Sequence, residues 1–218
     1  MRDLSFPVEP SADCGLCARL AGFRKENRAH EPAWHNAPVA SFGSGAAPLL
    51  IVGLAPGLKG ANRTGRPFTG DFAGDLLYST LLKYGLARGA YGASPSDGLV
   101  LVDCRITNAV RCVPPQNKPL PVEIKACNGF LAATIRQMPN LTAVIALGRI
   151  AHDAVLTAVD LRKAAHRFGH GSRHSLGRAL VLFDSYHCSR YNTNTGVLTE
   201  AMFHSVVADV RAHIDAAR

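Results

Sequence analysis

The sequence predicts an α/β fold with a parallel sheet covered by helices on both faces. Two observations carry that prediction. Four short apolar runs, Leu49–Leu54, Leu99–Asp103, Ala143–Leu147 and Ala179–Phe183, read as buried strands. Between and after them lie segments whose apolar residues recur at helical spacing, and strands alternating with helices build a parallel sheet. The 218 residues suffice for one sizeable core, so a single domain over 1–218 is expected.

Taken in order, residues 1–47 are irregular and polar. They carry Cys14-Gly15-Leu16-Cys17 and then the basic stretch Arg24 to Arg28, too few apolar residues for a core of their own. An N-terminal helix or lariat docked on the main domain is expected. The first strand, Leu49–Leu54, runs into a loop of Gly, Pro and cationic residues, Gly53 to Asp71. A helix follows over about Phe72–Tyr84, with Leu76, Leu77, Leu81 and Leu82 in its pattern. After the loop Arg88–Asp97 comes the second strand, and the chain continues through Thr107-Asn108. The prolines of Val113-Pro114-Pro115-Gln116-Asn117-Lys118-Pro119 then forbid regular structure. Pro121 and Glu123 open a further helix. The third strand ends at Gly148, and a helix spans Arg149 to about Val159. His166 to Arg178 is a glycine- and histidine-rich loop before the fourth strand. Thr199 caps a last helix to about Ala216, with Phe203, Val206, Val207 and Val210 on one face.

The totals narrow the function classes. No apolar run approaches a membrane span, and the start MRDLSFPVEP lacks the apolar core of a signal peptide, so a cytoplasmic, membrane-free protein is expected. Lys plus Arg number 24 against 16 Asp plus Glu, a net charge of +8 that favours a polyanionic partner. The loop after the first strand lies at the carboxyl edge of the sheet, where open α/β folds bind ligands. It lacks both the Gly-Lys-Ser/Thr of a P-loop and the Rossmann glycine spacing, which disfavours both mononucleotide readings. Thr107-Asn108 and His187 arrive at that same edge, so a carboxylate (Asp71), an amide and an imidazole converge.

Of six cysteines, Cys104 and Cys188 read as packing residues. Cys14, Cys17, Cys112 and Cys127 hold only one tight Cys-x-x-Cys knuckle, which suits a [4Fe–4S] cluster better than zinc and leaves plain buried thiols or a redox dithiol open. His166, His170 and His174 recur every four residues but among glycines, and no Cys, Asp or Glu joins them in the sequence. A solvated loop touching phosphate now and then is the expectation for those three.

The segments GLAPG, NRTGRPFTGD, TNAVRCVPPQNKP, ALGRIAHDAVL and SYHCSRYNTNTG resemble the uracil-DNA glycosylase superfamily, above all its type 5 (type B) branch, with type 4 as nearest relative. The likeness runs from Cys14 to about Phe203. It implies a three-layer α/β/α fold on a central four-stranded parallel sheet, a [4Fe–4S] cluster on the four cysteines, DNA as partner and a monomeric enzyme. Other branches carry an acid or amide at the position of Leu54 or Ala55, which are apolar here; type 5 assigns the catalytic carboxylate to the aspartate of FTGD, Asp71.

The residues suit that chemistry. Breaking the bond from uracil N1 to the sugar builds positive charge on the sugar and negative charge on the base. Asp71 would activate water and offset the first; His187, with the backbone of Gly53, Leu54 and Ala55, would stabilise the second. Phe68 would stack on the flipped base and Asn108 would read its N3–H and O4 edge. Arg190 and Tyr191 would fill the gap left in the duplex, and Arg63, Arg66 and Lys118 would contact phosphates. Two rivals stand beside this reading. One is a non-catalytic iron–sulfur nucleic-acid-binding protein. The other is a superfamily member that binds its product or links covalently to DNA through an inserted basic loop, and no insertion interrupts NRTGRPF.

Overall fold

The structure, a computed structural model, describes residues 7–177 and 179–217. The first six residues of the leader reading and Arg178 of the histidine-rich loop lie outside the described residues. The main sheet is mixed and six-stranded, in the order β1 (Phe42–Gly43), β5 (Cys104–Asn108), β2 (Leu49–Gly53), β6 (Ala143–Leu147), β8 (Val181–Ser185), β7 (Arg173–Ser175). This corrects the expectation of a four-stranded parallel sheet. β5, β2, β6 and β8 pair in parallel, but β1 and β7 add antiparallel edges that segments of two and three residues do not announce.

The second strand is also corrected. Val100–Leu101 (β4) pairs with Ala87–Arg88 (β3) in a separate two-stranded ribbon, and the sheet strand is Cys104–Asn108. Its polar Arg105 is accommodated at the edge, donating to the Gly43 carbonyl at 2.8 Å and pairing with Glu9 at 3.2 Å.

Helices cover both faces. One face packs Leu49 and Ile51 of β2 against α3 (Phe72–Lys83) and α7 (Glu200–Ala216) through Leu77, Leu81, Phe203 and Val207. The other packs Leu50 and Val52 against α4 (Pro121–Gln137) and α5 (Arg149–Ala158) through Leu131, Ala151 and Val155. The alternation of β2 thus feeds two cores. Side-chain caps start the first pair: Asp71 accepts from the Gly74 N–H at 3.1 Å and Thr199 from the Met202 N–H at 3.2 Å. The short helices α2 (Ala61–Thr64) and α6 (Arg190–Asn194) lie in the loops after β2 and β8.

The N-terminal segment contains α1 (Ala18–His30) and docks on α4. Leu20 enters a small apolar cluster with Val110, Cys127 and Phe130, and Arg19 makes a two-point ion pair with the buried Glu123 (2.8 and 2.7 Å). Among the described residues, no helix is long and apolar enough to cross a membrane.

Candidate active site

The carboxyl ends of β2, β5 and β8 open on a cavity of about 660 Å³. Its wall is the loop Leu54–Ala61, with Phe68, Asp71, Asn108, His187 and Arg190 contributed from three directions. The pairing register sets Gly53 beside Asn108, which fixes the amide at the mouth of its strand. A side chain at Gly53 would collide with Asn108 Oδ1 and lie 2.5 Å from Phe68 Cζ. This glycine therefore serves the side chains of the site. Gly60 does the same for Asp71, whose carboxylate fills the space a Cβ would occupy.

Asp71 is the N-cap of α3 and is half-buried. Burial pushes its carboxyl above the usual range, partly offset by the Gly74 N–H, while the negative charge of Asp75 raises it further. Asp75 itself is exposed one turn on and does not line the cavity.

Phe68 stands at the cavity wall with φ of +52°, a left-handed conformation that a bulky residue holds only when its surroundings impose it. The surroundings are a buried brace. Arg66 makes a two-point pair with Asp97 (2.8 and 2.6 Å) and donates to Thr69 Oγ1 at 2.7 Å, under the rings of Phe42, Tyr78 and Tyr91. Tyr78 donates to the Pro67 carbonyl at 2.6 Å and Tyr91 to that of Phe68 at 3.2 Å. Arg66 is 5% exposed, so its expected phosphate contact is corrected to an internal role. Tyr91 and Asp97 were missed because they lie 20 or more residues beyond the motif, and Tyr78 because it sits inside an otherwise apolar helix pattern.

His187 follows β8, and its ring lies 6.0 Å from that of Phe68, inclined by 29°. Burial lowers its pKa to about 4, so the ring is neutral at neutral pH. Cys188, beside it, is fully buried with its thiol 3.5 Å from the Ala73 carbonyl, joining the histidine segment to the first turn of α3. Asn192 donates to the His187 carbonyl at 2.8 Å. Asn108 is 3% exposed, and its Oδ1 is buried without a hydrogen-bond partner. An unpaired buried acceptor on a residue that lines a cavity is a costly feature that a ligand donor would relieve.

The model of the uracil DNA glycosylase superfamily matches residues 40–211. The chain belongs to this superfamily. It is 44% identical over 210 residues to the type-5 uracil-DNA glycosylase of Thermus thermophilus, covering 94% of this chain and 95% of that protein. To the type-5 enzyme of Pyrobaculum aerophilum it is 37% identical over 196 residues, 88% of this chain and 85% of the relative. A type-4 uracil-DNA glycosylase of Archaeoglobus fulgidus is more distant, 33% identical over 125 residues, 56% of this chain and 54% of that one.

Several residues assigned from the superfamily resemblance sit around the mouth. Arg190 lines the cavity with its guanidinium carbon 5.1 Å from the centre of the Phe72 ring, and neighbouring Tyr191 is 74% exposed. Lys118 is exposed next to Asn117, which lines the cavity. Arg63 is exposed too, but it borders a separate groove with Trp34 and His35. Leu54 and Ala55 present apolar surface to the cavity, and Ala55 also packs against the cluster that contains the cysteines.

Cys14, Cys17, Cys112 and Cys127 line one small cavity between α1, the segment after β5 and α4. All four are free thiols. Burial raises Cys112 to about 11 and Cys127 to about 12, and it also raises Cys17. Donors nonetheless face the sulfurs: Arg24 Nη1 is 3.5 Å from Cys112 and the Arg111 N–H 3.3 Å from Cys127.

Proposed function

We propose that the chain is a monofunctional uracil-DNA glycosylase that takes uracil flipped out of DNA, hydrolyses its N-glycosidic bond and leaves an abasic site. One observation carries the reading: Asn108, whose buried Oδ1 has no hydrogen-bond partner, lines a cavity that also holds a carboxylate and a neutral imidazole. That acceptor matches the N3–H of uracil, and the amide's NH₂ matches O4. Cytosine bears no N3–H and presents an amino group at the O4 position, so it would leave Asn108 Oδ1 unpaired. Phe68, held in its strained conformation by the Arg66–Asp97 brace, stacks on the base.

Asp71 then acts at the sugar. Among the described residues no cation is paired with its carboxylate, so it is free to orient water and to oppose the oxocarbenium charge. His187 acts at the base. Being neutral it donates one N–H to the O2 that gains negative charge, aided by the backbone at Gly53–Ala55. Arg190 and Tyr191 fill the emptied stack, and Arg63 and Lys118 meet phosphates.

Cys14, Cys17, Cys112 and Cys127 would hold a [4Fe–4S] cluster, whose iron binds the thiolates and so ties α1 to α4 and to the segment behind Ala55. Support comes from the four cysteines lining one small cavity and from the donors at Cys112 and Cys127, which would stabilise bound thiolates.

Incubating the protein with an oligonucleotide carrying one uracil should release free uracil and leave an alkali-labile site. Binding without base release would overturn the enzyme reading in favour of a non-catalytic binder. A product that stays on the protein through denaturation would favour covalent linkage.

A further inference from the structure

Behind the active site lies a second constellation that the glycosylase chemistry leaves unused. Asp184, fully buried in β8, receives two imidazoles. His152 of α5 places Nδ1 2.8 Å from Oδ1, and His174 of β7 places Nε2 3.1 Å from Oδ2. The Gly169 N–H reaches Oδ2 more weakly at 3.4 Å. The three ligand groups offer one atom each within 4.8 Å of one another. The expectation of a solvated histidine loop is thereby corrected for His174, because a carboxylate ten residues on and a histidine from another helix join it.

The tautomer of His152 follows from its other nitrogen. Nε2 lies 2.8 Å from the His166 carbonyl, an acceptor only, so Nε2 carries the hydrogen. In the neutral ring Nδ1 is then a lone pair aimed at a carboxylate oxygen. Something positive has to sit between them, a proton or a metal ion. A histidine N–H anchored on a backbone carbonyl is the outer contact that orients metal-binding imidazoles. Two imidazoles and a carboxylate are a donor set that suits zinc and its first-row neighbours.

We propose that His152 Nδ1, His174 Nε2 and the Asp184 carboxylate form a binding site for a divalent first-row transition metal, with zinc as the probe. Two ligand atoms on one tetrahedral zinc lie about 3.4 Å apart, as follows from bond lengths near 2.1 Å. The two histidine–aspartate pairs, at 2.8 and 3.1 Å, are closer than that and would open by a few tenths of an ångström around the ion. The two imidazole nitrogens lie within 4.8 Å, and His174, which sits on a three-residue edge strand with its side chain 13% exposed, is the group that adjusts, while His152 and Asp184 are sealed. That exposed side admits the hydrated ion and leaves its fourth position to water. The ion joins α5, the histidine loop and β8. The same loop reaches the catalytic segment, since His170 Nδ1 accepts the Tyr186 N–H at 3.1 Å, one residue before His187.

The test uses the full chain with its cysteines intact. After dialysis against zinc and then metal-free buffer, elemental analysis should give about one zinc per chain, and zinc should raise Tm by roughly 5–10 °C at a hundredfold excess over Kd. His174→Ala should lose that zinc and that shift while its iron content stays the same. Cobalt in place of zinc should give visible ligand-field bands without thiolate charge transfer, a reading on the wild-type chain that needs no variant to fold. The proposal is overturned if the wild type retains no zinc, if His174→Ala retains as much as the wild type, or if cobalt shows thiolate charge transfer only. In each case a proton on His152 holds the pair.

Discussion

Replacing Asp71 by Asn isolates the charge of the carboxylate from its structural work. Asn caps a helix about as well as Asp, so the hydrogen bond to the Gly74 N–H survives and α3 keeps its first turn. The amide also fits the space left by Gly57 and Gly60, so Tm should change little. What disappears is a negative charge with no cation beside it. At about 4 Å from the developing sugar cation and an effective dielectric near 20, that charge is worth about 4 kcal/mol. At about 1.4 kcal/mol per decade the loss is on the order of 10³ in rate, inside the 10²–10⁴ expected for a positioned base. The pH profile adds a second reading. Burial raises Asp71, so the wild-type rate should fall as pH drops through a value above the ordinary 3.8 and the carboxylate takes up its proton. Asp71→Asn should lose that limb and keep only the one near 4 that belongs to His187; neither protein should show an inflection near 6.5. Single-turnover rates on an oligonucleotide with one uracil, measured across acid and neutral pH, give both numbers. A variant within threefold of the wild type, with its acid limb in place, refutes the role. Exposed Asp75 offers no substitute, since it does not line the cavity.

Removing the imidazole should act at the other end of the bond: His187→Ala should cost on the order of 10²–10³ in kcat, and less on 5-fluorouracil, a better leaving base, in single-turnover comparison. Asp97→Asn weakens the brace while leaving the surface untouched, so it should lower Tm and kcat but leave the salt slope of DNA binding unchanged; unchanged Tm and kcat would refute the brace. Arg190→Ala should weaken binding to duplex more than to single strands, measured by fluorescence anisotropy, because only a duplex has a gap to fill; equal losses remove it from the wedge. Anaerobically purified protein should carry about four irons per chain, and Cys112→Ala should lose them together with solubility; a colourless protein with one zinc on the cysteines refutes the cluster.

What the sequence disclosed and what it hid divide along one physical line. Asp71, Asn108 and His187 were legible because parallel strands send all their carboxyl ends to one edge, so position after a strand is itself a coordinate. The first and third strands were legible because their runs are wholly apolar and wholly buried. The second was misplaced because Val100 and Leu101 are more apolar than Cys104–Asn108, yet the latter lie in the sheet, with Arg105 neutralised by Glu9 nearly a hundred positions away. Arg66 looked like a surface cation for the same reason, since Asp97, Tyr78 and Tyr91 reach it only in three dimensions. His152 sat at an apolar position of a helix pattern and drew no notice, although Asp184 inside the run Val181-Leu182-Phe183-Asp184-Ser185 was a signal in plain view. A carboxylate within a buried strand cannot stay charged there without partners. Reading that one residue as a demand for cations directs attention to the nearby histidines, and both the catalytic segment it precedes and the metal site proposed for it descend from the same short strand.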